Sequence, residues 1–308
     1  MRRLLQLIAV VLGLLLALEV VCRFRREGLA AVAHRVRFKL ALLHARGAVD
    51  FVVLGSSRTN DGVKPPLLGL GDGFSAATPS TSLQTLQFFA DGLGPQKRVL
   101  VEVSRPTFSD FPMDAIDATP PGSYEGDPIG AWLQSHSALL QLRRAFALEN
   151  LPRVFALFFP SRFDGSEWLR TRFLIEMFRE VEAGTAPPGV SDDAAWVPLS
   201  HDLNTPTTLD ADGERVVNGF VNLVTTLRAN GAQVVLTAPP IGSGWKGDEC
   251  TEPMNAVRRE VARRTAAPFL DFTCAQVDDA WFVEGQHLSA LGRAKYSRVL
   301  GEAVRALP

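Results

Sequence analysis

At 308 residues, 46% of them apolar and 21% charged, the chain has the composition of a protein that buries one large core or two modest ones, which excludes wholesale disorder. A formal net charge of -1 removes the simplest electrostatic case for nucleic-acid binding, because no excess of Lys and Arg is available to face phosphate.

Arg2 and Arg3 precede an apolar run over residues 4–21, interrupted by Gln6 and Glu19, and its roughly 18 residues are about the minimum for a helix to span a bilayer core. The expectation is an uncleaved single-pass membrane anchor over residues 1–25. A cleaved signal peptide is the rival, opposed by the lack of a small-x-small site and by Val20 and Val21 ahead of Cys22. Arg23, Arg25 and Arg26 outnumber the arginines before the run, which by the positive-inside rule favours a cytoplasmic carboxyl side. Two features favour export instead: long domains translocate despite such charge, and Cys250 and Cys274 are candidates for one disulfide, although two buried thiols account for them equally well. The expected placement is a membrane protein whose main domain is extracytoplasmic, in a periplasmic setting.

Residues 26–48 are basic and Ala/Leu-rich, as in a helix linking an anchor to a domain that starts near Val49. Asp50-Phe51-Val52-Val53-Leu54 reads as a buried strand that opens into a turn at Gly55-Ser56-Ser57. Further strands are expected at Arg98-Val99-Leu100-Val101-Glu102-Val103, Gln233-Val234-Val235-Leu236-Thr237 and Pro268-Phe269-Leu270-Asp271-Phe272. Helix periodicity covers residues 216–229, stopped by the left-handed cap signal Asn230-Gly231, and residues 254–266, which lack such a cap. Alternation of this kind predicts an α/β fold, a three-layer sandwich with a mostly parallel, flavodoxin-like sheet. Loop-like stretches at residues 112–124 and 184–212 bracket a helical insertion over 129–182, so that the domain 49–308 carries an inserted region at about 112–212. That region reads as core packing, with a lid over the active site as the alternative.

In open α/β sheets ligands bind beyond the carboxyl ends of the strands, which draws attention to Gly55-Ser56-Ser57-Arg58-Thr59. A serine hydroxyl needs a base to become a nucleophile, and the base needs a carboxylate to orient it. Of the five histidines, only His287 lies in a loop between the last strand and a terminal helix, Phe282-Val283-Glu284-Gly285-Gln286-His287. Glu284 is its nearest acidic neighbour, placed to reach Nδ1 while leaving Nε2 for Ser57. No pair of His or Cys has metal-ligand spacing, and Gly69-x-Gly71-x-Gly73 is not a phosphate-binding loop, so no metal or other cofactor is expected.

These residues resemble the SGNH (GDSL-type) hydrolase superfamily. Gly55-Ser56-Ser57-Arg58 is similar to its first block, with Ser57 matching the nucleophile. Glu284-Gly285-Gln286-His287-Leu288-Ser289, followed by Gly292, is similar to its last block, with Glu284 in place of the usual aspartate. The branch with a Gly-Ser-Ser-Arg block and an anchor like that carrying Glu19 and Arg23 implies exported proteins that move acyl groups on cell-envelope polymers. The family implies an oxyanion hole from the serine's own N–H, a second-block glycine and a third-block asparagine. Here Ser75-Ala76-Ala77-Thr78-Pro79-Ser80 replaces the second block, with Ser75 at its asparagine position and Ser80 at its glycine position. Val103-Ser104-Arg105-Pro106 replaces the third and lacks the asparagine. The N–H groups of Ser57 and Ser80 remain donors whatever their side chains, and Arg58 and Arg105 are candidate sources of positive charge at the oxyanion.

The sequence therefore predicts a membrane-anchored serine esterase or O-acyltransferase acting on an acylated carbohydrate or other ester. Ser57 is the nucleophile, His287 the base and Glu284 its orienter. Membrane acyltransferases are expected partners and nucleic acid is not. The rival is a catalytically inactive protein of the same fold that binds polysaccharide or scaffolds an envelope complex.

Overall fold

The structure, a computed structural model, describes residues 10–11, 13–20, 35–79, 81–109, 156–157, 159–162 and 196–308, with the backbone alone at Arg35 and Glu284. The chain divides into two compact units, Met1–Ala45 with Asp117–Arg162, and Arg46–Ile116 with Phe163–Pro308. In the first, residues 13–20 are helical and expose Leu14, Leu15, Leu16 and Val20, while helix α1 (Arg35–Arg46), whose last residue belongs to the second unit, buries Val36, Phe38, Leu42 and Leu43. Among the described residues no helix is long and apolar enough to cross a membrane. The expected span over residues 4–21 lies partly outside the described residues, as do nearly all of the expected insertion and the loop at 112–124.

The second unit is an α/β domain built on five parallel strands: β1 (Phe51–Leu54), β2 (Gly73–Ser75), β3 (Arg98–Glu102), β4 (Gln233–Ala238) and β5 (Phe269–Asp271). Their order is β2-β1-β3-β4-β5. This is the doubly wound, flavodoxin-like order, whose switch point lies between β1 and β3. The runs that read as strands are apolar because both sheet faces are covered. Phe51, Val53, Leu100 and Val235 join a buried cluster with Trp281, Tyr296, Leu300 and Val304, the last three on α7 (Ala290–Arg305). The intervening Val52, Leu54, Val99, Val101, Val234 and Leu236 are equally buried, as the two-residue period of a strand requires when neither face meets water. Helix α4 (Ala211–Ala229) packs against α3 (Leu83–Gly92) and α6 (Glu252–Thr265).

Local signals set the boundaries. Asp210 caps α4 by accepting from the Gly213 N–H (2.7 Å), and Gly231, at φ +87°, carries the chain out of the helix as the Asn230-Gly231 pair predicts. Helix α6 ends without a glycine: Ala266 itself takes the left-handed conformation, φ 47°. Two elements differ from the sequence reading. β2 is a three-residue strand opening on a glycine, too short to stand out as an apolar run. The expected loop around His287 is a hairpin, β6 (Phe282–Glu284) and β7 (His287–Leu288), in which Glu284 pairs with His287 across the two-residue turn Gly285-Gln286.

Candidate active site

The switch point brings together the carboxyl ends of β1 and β3, and Ser57 opens the short helix α2 (Ser57–Gly62) directly after β1. Ser57 Oγ lies 3.0 Å from His287 Nε2, within hydrogen-bond reach, although 230 positions separate the two residues. With Nε2 unprotonated, the serine hydroxyl donates to it, which is the ground state a nucleophile and its base require. As the first residue of α2, Ser57 also contributes one of the N–H groups that a helix start leaves without an intrahelical acceptor.

The neighbouring serine is fully committed. Ser56 Oγ caps α2 by accepting from the Arg58 N–H (3.2 Å) and donates to Glu102 Oε1 (2.7 Å), while its own N–H donates to Glu102 Oε2 (2.6 Å). Glu102, the last residue of β3, is wholly buried; its Oε1 also accepts from the Ser104 hydroxyl. Hydrogen-bond donors on both oxygens offset what burial of the carboxylate costs. The approach is close enough to require a glycine beside it: a Cβ on Gly55 would sit 2.5 Å from Glu102 Oε2. The turn thus fixes one serine inward and leaves the other facing the histidine.

Asp61, one helical turn after Ser57 and on the same face of α2, places Oδ2 3.8 Å from His287 Nε2 with only 6% of its side chain exposed. Asp61 and Ser57 thus approach the same ring nitrogen of His287 from one face of α2. Glu284 is the backbone partner of His287 in the hairpin; its side chain lies outside the described residues, as does Ser80.

Arg58 is 3% exposed, and its Nη2 donates to Glu249 Oε1 (2.8 Å) and Gln286 Oε1 (3.2 Å). Glu249 ends helix α5 (Ser243–Glu249) and continues a buried chain of charge. Arg258 Nη2 donates to the Glu249 carbonyl (2.6 Å), Arg258 Nε lies 3.4 Å from Asp271 Oδ2, and His201 Nε2 lies 2.8 Å from that same carboxylate oxygen. Burial pushes the Asp271 carboxyl up, but the His201 hydrogen bond, the Arg258 charge and the Thr273 N–H together hold it below the usual carboxylate range. Arg105 behaves differently: it is exposed, 3.6 Å from an equally exposed Asp248 on α5. Cys250 and Cys274 form a disulfide, which joins the segment just after Glu249 to the segment just after Asp271.

Sequence reasoning reached Ser57 and His287 but missed Asp61, Glu102 and Glu249. An acidic residue inside an otherwise apolar strand was the available signal for Glu102, and the four-residue spacing from Ser57 was the signal for Asp61. Nothing local marks Glu249. Among the described residues, no group of three or more His, Cys, Asp or Glu is placed to hold a metal ion.

The fold and site define a doubly wound α/β domain with a serine–histidine pair at its switch point. No protein-family model matches the chain, and no curated protein matches it.

Proposed function

We propose that the chain is a serine-dependent esterase or O-acyltransferase of SGNH type, acting on acylated cell-envelope or exopolysaccharide substrates. The observation that carries this reading is the 3.0 Å contact between Ser57 Oγ and His287 Nε2 beyond the carboxyl end of β1. Ser57 Oγ attacks the acyl carbonyl as its proton passes to His287 Nε2, giving a tetrahedral oxyanion that the Ser57 N–H is placed to stabilise. Collapse of this intermediate breaks the ester C–O bond, and the leaving alcohol takes the proton from His287. Water or a sugar hydroxyl then attacks the acyl-enzyme with the same histidine as base, giving hydrolysis or transfer. Proton transfer of this kind contributes roughly 10²- to 10⁴-fold in rate. Glu284 is the proposed orienter of the ring.

Membrane attachment through the amino terminus is supported by the exposed Leu14, Leu15, Leu16 and Val20 of the helical residues there, an apolar surface suited to lipid. An extracytoplasmic domain is supported by the Cys250–Cys274 disulfide, since such bonds persist in oxidising compartments. Membrane acyltransferases are the proposed partners.

Release of acyl groups from an O-acetylated polysaccharide, or from a simple aryl ester, tests the chemistry: Ser57→Ala should abolish turnover, and a variant that turned over esters at the wild-type rate would overturn the mechanism. One observation favours a second, non-catalytic reading, in which the same cleft binds acylated polysaccharide without turnover. Arg105, which stands where the family's oxyanion asparagine would, is exposed and lies 3.6 Å from Asp248. Polysaccharide binding undiminished by Ser57→Ala, in a wild-type chain that releases no acyl group, would decide for that reading.

A further inference from the structure

We infer that Arg58 is a positioning residue that holds the helix of the nucleophile against the hairpin of the base; the inference rests on the Ser57–His287 reading above. Arg58 directly follows Ser57, and Gln286 directly precedes His287. A single nitrogen, Arg58 Nη2, donates to both Gln286 Oε1 and Glu249 Oε1, at 3.2 and 2.8 Å. The guanidinium therefore ties the residue beside the nucleophile to the residue beside the base, and anchors that tie in the protein through Glu249. The anchor is itself fixed on two sides. Arg258 donates to the Glu249 carbonyl, and the following residue, Cys250, is bonded to Cys274.

The hydrogen bonding of Arg58 suits a positioning role: its side chain is 2% exposed, and Nη2 donates to acceptors on two separate elements. What Arg58 supplies is one planar, rigid donor group reaching two acceptors at a fixed angle. Lysine, a flexible point charge, retains the attraction to Glu249 and loses the geometry at Gln286. Arg58 acts beside a second hold on the same turn, the Gly242 N–H, which donates to the Gly285 carbonyl at 2.7 Å, whereas Val283 is 76% exposed and holds nothing in place.

The test uses the full chain and two readouts, hydrogen–deuterium exchange over residues 282–288 and the rate of Ser57 labelling by a fluorophosphonate. Gln286→Leu should raise exchange across the hairpin and slow labelling roughly 10- to 100-fold, the range expected when a reacting group is displaced by about an ångström. Its melting temperature should stay within about 4 °C of wild type, as befits roughly one lost hydrogen bond. Arg58→Lys should slow labelling similarly, and the double variant should be no slower than Arg58→Lys, because both changes remove the same link. Wild-type exchange and wild-type labelling in Gln286→Leu would overturn the inference. A wild-type chain that takes no label would overturn the Ser57 reading instead, and the exchange measurement would then decide the clamp independently.

Discussion

Two clusters of charge in this domain are built from the same residue types and do different work. Between α4 and α6, Glu260 accepts from Arg263 Nε and Arg264 Nε at 2.7 and 2.6 Å, and Arg264 reaches across to Glu214 on α4. Each arginine in that cluster is half-buried, within a turn of its partner or on the adjoining helix. At the carboxyl ends of the strands, Arg58, Glu249, Arg258 and Asp271 are joined through burial of 3% exposure or less, and they come from four separate elements or their ends. The first cluster staples two helices that already pack together. The second has no local reason to exist, and replacing a buried ion pair by apolar residues is often neutral or stabilising. Its location beside Ser57 and His287 is the difference, since positional rigidity is worth more there than stability.

The largest effect that sharpens this contrast is expected from Arg258→Met. It leaves Glu249 and Asp271 buried without their shared cation, and breaking such a pair typically costs about 3–5 kcal/mol. Urea unfolding at neutral pH reads it, and a loss below about 1 kcal/mol would place the buried chain in the same class as a surface pair. Reduction of the Cys250–Cys274 disulfide comes next. With the two cysteines 24 positions apart, the constraint on the unfolded chain corresponds to about 3.5 kcal/mol, and thermal unfolding of a Cys250→Ser/Cys274→Ser variant measures it.

The helix staple should declare itself through pH. The hydrogen bond from Arg263, helped by Arg264 and the Thr207 N–H, brings the Glu260 carboxyl from 4.5 down to about 2 against the cost of burial. A depressed carboxylate contributes stability that is fully present above the unfolded value and is lost as the pH falls through the folded one. Unfolding free energy should therefore drop by up to about 3 kcal/mol between pH 4.5 and pH 2 from this group. Glu260→Gln should be less stable at neutral pH and correspondingly less sensitive to acid; an unchanged acid slope would remove Glu260 from the account. The smallest expected effect is a gain. Ala266 ends α6 at φ 47°, a conformation glycine adopts without strain, so Ala266→Gly should stabilise the domain by about 0.5–1 kcal/mol, measurable as a rise in melting temperature.

The same contrast separates what was legible in the sequence from what was not. Strands β1, β3 and β4 were legible because a sheet covered on both faces demands unbroken apolar runs, and the end of α4 was legible because Asn230-Gly231 is a local instruction. β2 was not, since Gly73-Phe74-Ser75 is strand only by virtue of pairing with β1. At the site, Ser57 and His287 could be picked out by residue type and strand-end position. Glu249 could not, because its meaning depends on Arg58 and Arg258, 191 and nine positions away, being folded around it. Glu102 sat in plain view as an acidic residue in an apolar strand, yet its partners, Ser56 and Ser104, become apparent only when β1 and β3 lie side by side.

The central claim is that the turn after β1 spends Ser56 on Glu102 and leaves Ser57 to the histidine. Its most direct test is to react the full chain with a fluorophosphonate and locate the adduct by peptide mass spectrometry in wild type, Ser57→Ala and His287→Ala. One adduct is expected, on Ser57, absent from Ser57→Ala and strongly slowed in His287→Ala. An adduct on Ser56, or labelling indifferent to His287, would contradict it.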